Sequence, residues 1–396
     1  MQIRRSGAWV TALLCIILSL TSCQASGTRA GEAVSGQSAQ GEAAEAASPA
    51  DPAAMRQSLS EPGSFVETDF GCYYLSDYFI YYADRGSTNY VKLCGRPDCT
   101  HDSEDCNAYI GSDTFSYYED EIYYCQYETS EDKPRYELWK MQADGSQHEK
   151  VKTIYTASSS TLSLQGFFHQ GYYYFTDAPL GLSQQGTGLY RVKLDSHSET
   201  EQLLPASDLS HFYTMWACQD QLYFTGINDQ EQIYLSSFDL ESGVLQQRSD
   251  NWSLYGQYFS DSQAFCYIPD DGFYQLDLTE AGRQRKVAAS PASGELGAYY
   301  DSEYIYLFDV EPLKTGGGSR KLYVLDRNYQ ELAETEIKSE DFSTQDLYFL
   351  TAAAGRLLFV DRKSFTGPVI PYYIDQKDIR SGTLQLRKTA VSSVSP

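Results

Sequence analysis

The apolar positions of this chain fall in short aromatic runs divided by polar turns, and one arrangement of runs and turns recurs. A first strand-like run meets a tight polar turn, then a second aromatic run, a variable loop, a third run closing on an apolar residue and Asp, and a fourth. The second runs are Phe79–Tyr82, Glu121–Tyr124, Gly171–Phe175, Gln221–Phe224, Ala264–Tyr267, Tyr304–Phe308 and Arg356–Val360. With Tyr81, Tyr123, Tyr173, Tyr223, Phe265, Tyr306 and Leu358 taken as equivalent, successive separations are 42, 50, 50, 42, 41 and 52 residues. A period in this range with four strands per unit is the pattern of propeller blades. The spacing therefore predicts an all-β fold, a β-propeller of seven four-stranded blades. Six or eight blades stay open, because the last copy is the weakest match.

The third runs keep the same register. Those reaching Asp144, Asp195, Asp239, Asp277, Asp326 and Asp375 each end in an aspartate. At a strand end this residue accepts hydrogen bonds from the backbone two residues onward and opens a turn, so its place needs no catalytic role. Four-stranded sheets with aromatic faces cannot bury themselves singly, whereas radial stacking covers both faces and leaves only short edges. Ring closure is expected to use a strand from one chain end to complete a blade at the other. Ser64-Phe65-Val66-Glu67, beside residues 380–390, is the candidate.

The start of the chain reads differently. Arg4 and Arg5 precede an apolar run from Ala8 to Leu20, too short for a permanent membrane helix, and Leu20-Thr21-Ser22-Cys23 follows. The tetrapeptide resembles the bacterial lipobox, which implies a signal peptide over residues 1–22 and a diacylglyceryl group on the Cys23 thiol. The competing reading is an ordinary secretory leader with Cys23 incidental. Residues 23–62 are almost wholly Gly, Ala, Ser, Gln, Glu and Pro, without an aromatic. Such a segment cannot offset its chain entropy by burial, so a disordered tether is expected, with a mean reach of about 35 Å. Residues 63–396 remain for the propeller. The address implied is extracytoplasmic, held to the bacterial cell membrane by lipid.

Composition adds two points. There are 34 Tyr and 18 Phe against 4 Met, a balance suited to pleated, half-buried surfaces. The chain carries 30 basic and 54 acidic residues, a formal net charge of −24, which opposes attraction to nucleic acid or anionic lipid.

Across residues 65–385 the pattern resembles a group of propeller lipoproteins from Gram-positive, Clostridia-type gut bacteria, related in style to the propeller domain of TolB. The resemblance implies fold and address and supplies no activity.

Of nine cysteines, three crowd with a histidine into Cys94-Gly-Arg-Pro-Asp-Cys99-Thr-His101-Asp-Ser-Glu-Asp-Cys106. In the repeat alignment this segment falls between the third and fourth strands of the first blade. The stretch from Leu93 to Tyr109 also resembles a cysteine-rich signature of the same lipoprotein group. Three thiolates and an imidazole suit a closed tetrahedral zinc site. An oxidising location suits disulfides among the three, with Cys72 or Cys125 as an outside partner. Reduced, unliganded thiols are the third reading. Metal or disulfide would each act as a structural staple. Cys125, Cys218 and Cys266 are expected as small buried hydrophobes, and His169 ends a first strand, the kind that lines a propeller channel.

Length variation concentrates in loops expected between second and third strands: Ala83–Asn89, Glu128–Arg135, Asp177–Gly188, Asp309–Ser319 and Asp361–Val369. They form a candidate binding face, with the cysteine cluster expected on the opposite one. The sequence has no G-x-S-x-G, H-E-x-x-H, P-loop or EF-hand pattern. Two functions follow as expectations: a non-catalytic module that binds a protein, peptide or glycan or assists assembly, and, as the alternative, a carbohydrate-active propeller hydrolase or lyase.

Overall fold

The computed structural model describes residues 65–389 apart from 129–132, 157–163, 165, 178–187, 196, 206–211, 229–231, 250–251, 254–255, 260–261, 279–283, 295, 310–318, 339–346 and 362–371. The expected leader, the expected lipidation site Cys23 and the expected tether lie outside the described residues.

The strands group strictly in fours. Blade 1 holds β1 (Phe65–Glu67), β2 (Gly71–Ser76), β3 (Phe79–Asp84) and β4 (Val91–Lys92). Blade 2 holds β5 (Ser116–Tyr118), β6 (Glu121–Glu128), β7 (Arg135–Gln142) and β8 (Glu149–Thr156). Blade 3 holds β9 (Gly166–His169), β10 (Tyr172–Thr176), β11 (Leu189–Lys193) and β12 (Glu201–Leu204). Blade 4 holds β13 (Phe212–Cys218), β14 (Gln221–Ile227), β15 (Ile233–Asp239) and β16 (Leu245–Ser249). Blade 5 holds β17 (Gln257–Phe259), β18 (Gln263–Ile268), β19 (Gly272–Asp277) and β20 (Arg285–Ala289). Blade 6 holds β21 (Leu296–Tyr300), β22 (Tyr304–Asp309), β23 (Ser319–Asp326) and β24 (Glu331–Lys338). Blade 7 holds β25 (Leu347–Ala353), β26 (Arg356–Asp361), β27 (Tyr372–Asp375) and β28 (Arg387–Lys388).

Within each blade the strands pair antiparallel in chain order, and the seven blades stand in a ring. The packing shows why the sequence alternates so little along the second strands. Along β22, Tyr304, Tyr306 and Phe308 enter a core shared with blade 7, while Ile305 and Leu307 enter one shared with blade 5. Along β6, Tyr123 and Cys125 face blade 3, and Ile122 and Tyr124 face blade 1. A strand covered on both faces needs apolar residues at odd and even positions alike. Among the described residues seven such cores join neighbouring blades, the seventh setting Ala353 and Leu358 of blade 7 against Cys72 and Tyr81 of blade 1.

Turn chemistry follows the sequence. Two-residue hairpins join β5 to β6 through Glu119 and Asp120 (φ 49° and 64°) and β25 to β26 through Ala354 and Gly355 (φ 49° and 73°). Positive φ at both positions matches the right-handed twist of the flanking strands. After β15, Asp239 Oδ1 accepts from the amides of Glu241 at 3.2 Å and Ser242 at 2.6 Å. After β23, Asp326 Oδ1 accepts from the Asn328 amide at 2.8 Å.

Two expectations fail in blade 1. Phe65–Glu67 does not pair beside residues 380–390; it pairs with β2 of its own blade, while β28 pairs with β27. The short turn at Thr68 makes the local pairing cheap in loop entropy, and it is fastened by Thr68 Oγ1 donating to the Gly71 carbonyl at 2.9 Å. Consequently Phe79–Tyr82 lies on the third strand of its sheet, not the second, and the cysteine segment follows the fourth strand instead of dividing third from fourth.

Candidate metal centre and neighbouring surfaces

The cysteine segment is an excursion from the outer edge of blade 1. The chain pairs with β3 through Val91 and Lys92, and the Leu93 amide still donates to the Ile80 carbonyl at 2.9 Å. It then leaves, and returns where the Ile80 amide donates to the Ala108 carbonyl at 2.8 Å. The ladder resumes with Tyr109 opposite Phe79, and the Ile110 amide donates to the Tyr78 carbonyl at 2.9 Å. Cys94 and Cys106 therefore sit at the two feet of one loop.

Inside that loop the side chains of Cys94, Cys99, His101 and Cys106 converge, their ligand atoms all within 4.8 Å of one another, and they could bind a metal ion. Cys106 Sγ stands 3.6 Å from His101 Nδ1. Tetrahedral zinc, with Zn–S about 2.3 Å and Zn–N about 2.0 Å, sets an S···N edge of about 3.5 Å, so this pair stands close to the spacing that a shared zinc would need. His101 reaches inward from a left-handed backbone (φ 58°), a region that histidine enters more readily than most residues. Its carbonyl is held by Lys92 Nζ from the outgoing foot. Backbone amides point at the sulfurs: His101 N–H donates to Cys99 Sγ and Ala108 N–H to Cys106 Sγ, each at 3.4 Å. Such donors favour thiolate over thiol. A metal held by all four of these donors would have a complete shell, with no position left for a reacting water.

The thiols differ in setting. Burial pushes Cys94 up, but the amides of Arg96 and Asn107 and the thiols of Cys106 and Cys99 outweigh it, and the net shift is downward. Burial pushes Cys106 up to about 12, against the opposing pull of the Ala108 amide.

The outside disulfide partners are not brought to the cluster. Cys72 packs in the core between blades 7 and 1, and Cys125 in the core between blades 2 and 3, because their strands carry them to those faces. Among the seven described cysteines no disulfide is formed. Cys125 and Cys266 are buried as expected, whereas Cys218, last residue before a hairpin turn, is only partly so.

Against blade 2 the cluster lies away from the loop between second and third strands, whereas Ala83–Asn89, expected to be such a loop, joins the third and fourth strands β3 and β4. Leu93 and Asn107 touch the turn joining β7 to β8: a Cβ on Gly145 would stand 2.1 Å from the Leu93 carbonyl, and the Asn107 carbonyl lies 2.9 Å from His148 Nε2. That turn lies at the end of the blade away from the β6–β7 loop. Sequence reasoning missed His148 and Gly145, whose only local signal is turn composition. Of the candidate binding loops, residues 129–132, 178–187, 310–318 and 362–371 lie outside the described residues.

His169 bonds structurally, its Nε2 at 2.6 Å from the Gln219 carbonyl in the next blade's hairpin turn. His148 Nδ1 lies 2.6 Å from the Tyr124 hydroxyl. Among the described residues no histidine side chain hydrogen-bonds a carboxylate. Between blades 3 and 4 a cleft of about 270 Å³ is walled by Tyr172 and Tyr174 and rimmed by Gln170, Arg191, Asp220 and Glu241. The Arg191 guanidinium lies over the Tyr172 ring, 4.7 Å from its centroid, and its Nε donates to Glu201 at 2.7 Å.

No family profile matches the sequence, and no curated protein sequence matches it. Solved structures are similar in fold. A prolyl endopeptidase structure is 10% identical with a TM-score of 0.53, covering 86% of this chain and 51% of that one, so the chain spans about half of that enzyme. AztD of Citrobacter koseri is 13% identical with a TM-score of 0.42, covering 83% of this chain and 86% of its own. TolB of Acinetobacter baumannii is 14% identical with a TM-score of 0.33, covering 68% and 69%.

Proposed function

We propose that this chain is a lipid-anchored extracytoplasmic propeller, stapled by one structural zinc ion, that serves as a non-catalytic binding or assembly module at the cell surface. The observation that carries the reading is the closed four-donor set of Cys94, Cys99, His101 and Cys106. It is the convergent group of metal-ligating side chains among the described residues, and its complete shell suits a staple, not a reaction. Soft thiolate donors favour zinc over magnesium or calcium. The address rests on the basic and apolar leader and on Cys23. The ligand is a protein, peptide or glycan, since polar loops on a rigid β scaffold recognise such surfaces.

Two measurements on the full chain test this. Metal analysis with thiol counting should give one zinc per chain and no disulfide; free thiols with no metal would remove the staple. A Cys23→Ala variant should leave the membrane fraction, and its retention there would end the anchoring claim.

A further inference from the structure

We propose that the metal loop is a clasp fastening blade 1 onto blade 2, with His148 as the positioning residue through which it acts. The inference rests on the zinc reading above.

Both feet of the loop are gripped by one structure, the β7–β8 turn of the neighbouring blade. At the outgoing foot the Leu93 carbonyl lies so near Gly145 that a Cβ there would stand 2.1 Å away. At the returning foot the Asn107 carbonyl meets His148 Nε2 at 2.9 Å, and the other ring nitrogen meets the Tyr124 hydroxyl of β6 at 2.6 Å. The ring thus bridges the loop and the blade 2 sheet, with Nε2–H donating to Asn107 and Nδ1 accepting from Tyr124. From β2, the Tyr73 hydroxyl donates to the Ala143 carbonyl of the same turn at 3.1 Å. Apolar packing runs the same way: Cys106, Ala108 and Ile110 of the returning leg are 2%, 0% and 0% exposed, in one core with Ile122, Tyr124 and Met141.

This returning leg is tied to blade 1 by only a few ladder bonds around Ile80 and Tyr78. A metal joining Cys94 to Cys106 fixes the distance between the feet, and that distance is what the β7–β8 turn fits. Without the metal the feet can part, and the turn loses its seat. Linkage makes the effect reciprocal: contacts that need the metal-loaded loop must also tighten metal binding. Loss of an outer partner of a ligand set lowers metal affinity by roughly 10–100-fold.

The test compares amide hydrogen exchange of the full chain with zinc and after chelation, beside the metal content. Exchange over residues 143–150 should rise at least about tenfold on chelation, while β18 and β22 stay protected. A His148→Phe variant, which keeps the ring but neither hydrogen bond, should hold one zinc per chain with affinity lowered roughly tenfold and show raised exchange in the same turn. If chelation removes the zinc and residues 143–150 exchange as before, the clasp is wrong and the zinc reading stands. If His148→Phe changes neither affinity nor exchange, His148 has no such part. A chain that takes up no zinc overturns both.

Discussion

The amide of Ala354 donates to Glu67 Oε1 at 3.0 Å, joining two residues 287 positions apart in the chain. The contact sits at the meeting of blades 7 and 1, where no shared sheet crosses. Beside it Arg356 donates to the carbonyls of Ser87 at 3.0 Å and Gly86 at 2.6 Å. Side chains therefore do here what a crossing strand was expected to do.

Replacing Arg356 by Met should cost about 2–3 kcal/mol, since charged hydrogen bonds to two carbonyls are lost. Glu67→Gln, which keeps an acceptor oxygen, should cost under about 1 kcal/mol. Denaturant unfolding of both variants checks this. Equal, negligible losses would mean that apolar packing alone closes the ring.

Burial pushes the hydroxyls of Tyr74 and Tyr223 up to about 12, from an ordinary value near 10. Folding thus favours the neutral phenol. The sign is that this stability is fully present below pH 10 and drains away as pH rises towards 12. Base should unfold the protein in that window together with late tyrosinate absorbance. Complete tyrosine ionisation near pH 10 with circular dichroism unchanged would contradict the burial argument.

Gly145 and Gly243 both adopt left-handed backbone, with φ of 83° and 70°. Gly243 has open space around it, so Gly243→Ala should cost only about 1 kcal/mol of backbone strain. Gly145→Ala meets the Leu93 carbonyl as well and should cost about 3 kcal/mol or more. Similar midpoints for the two variants in urea would show that the loop foot yields freely.

Thiol alkylation should follow seating in the fold. Burial pushes Cys72 up to about 12 and Cys125 up to about 11, and Cys266 upward too, so these three should resist iodoacetamide until the protein unfolds. Cys94 and Cys99, only partly buried, should react once a chelator is present. Rapid labelling of Cys266 in the native protein would place that strand wrongly.

The blades were legible because each second strand had to please two neighbours. Tyr304, Tyr306 and Phe308 serve one core and Ile305 and Leu307 another, and that double demand writes itself as an unbroken apolar run. The aspartates after β15 and β23 announced their turns for an equally local reason. Ring closure was not legible, because whether Phe65–Glu67 joins β2 or the chain end depends on which edge lies nearest, and a period carries no such information. At the cysteine loop the candidate ligand types were plain in the sequence. Their convergence depended on a loop that leaves the β3 edge ladder at Leu93 and rejoins it at Ala108, and on a left-handed His101, neither of which any spacing rule encodes. His148 belongs to another blade and touches a carbonyl, a contact blind to residue type.

Among the described residues every apolar core is held in common by two blades, and none is private to one. A fragment cut at a blade boundary would present a raw aromatic wall at each end, with nothing to dry it. Halves of the protein should therefore aggregate or stick to each other when expressed alone, and the smallest piece that can live in water by itself is the whole circle.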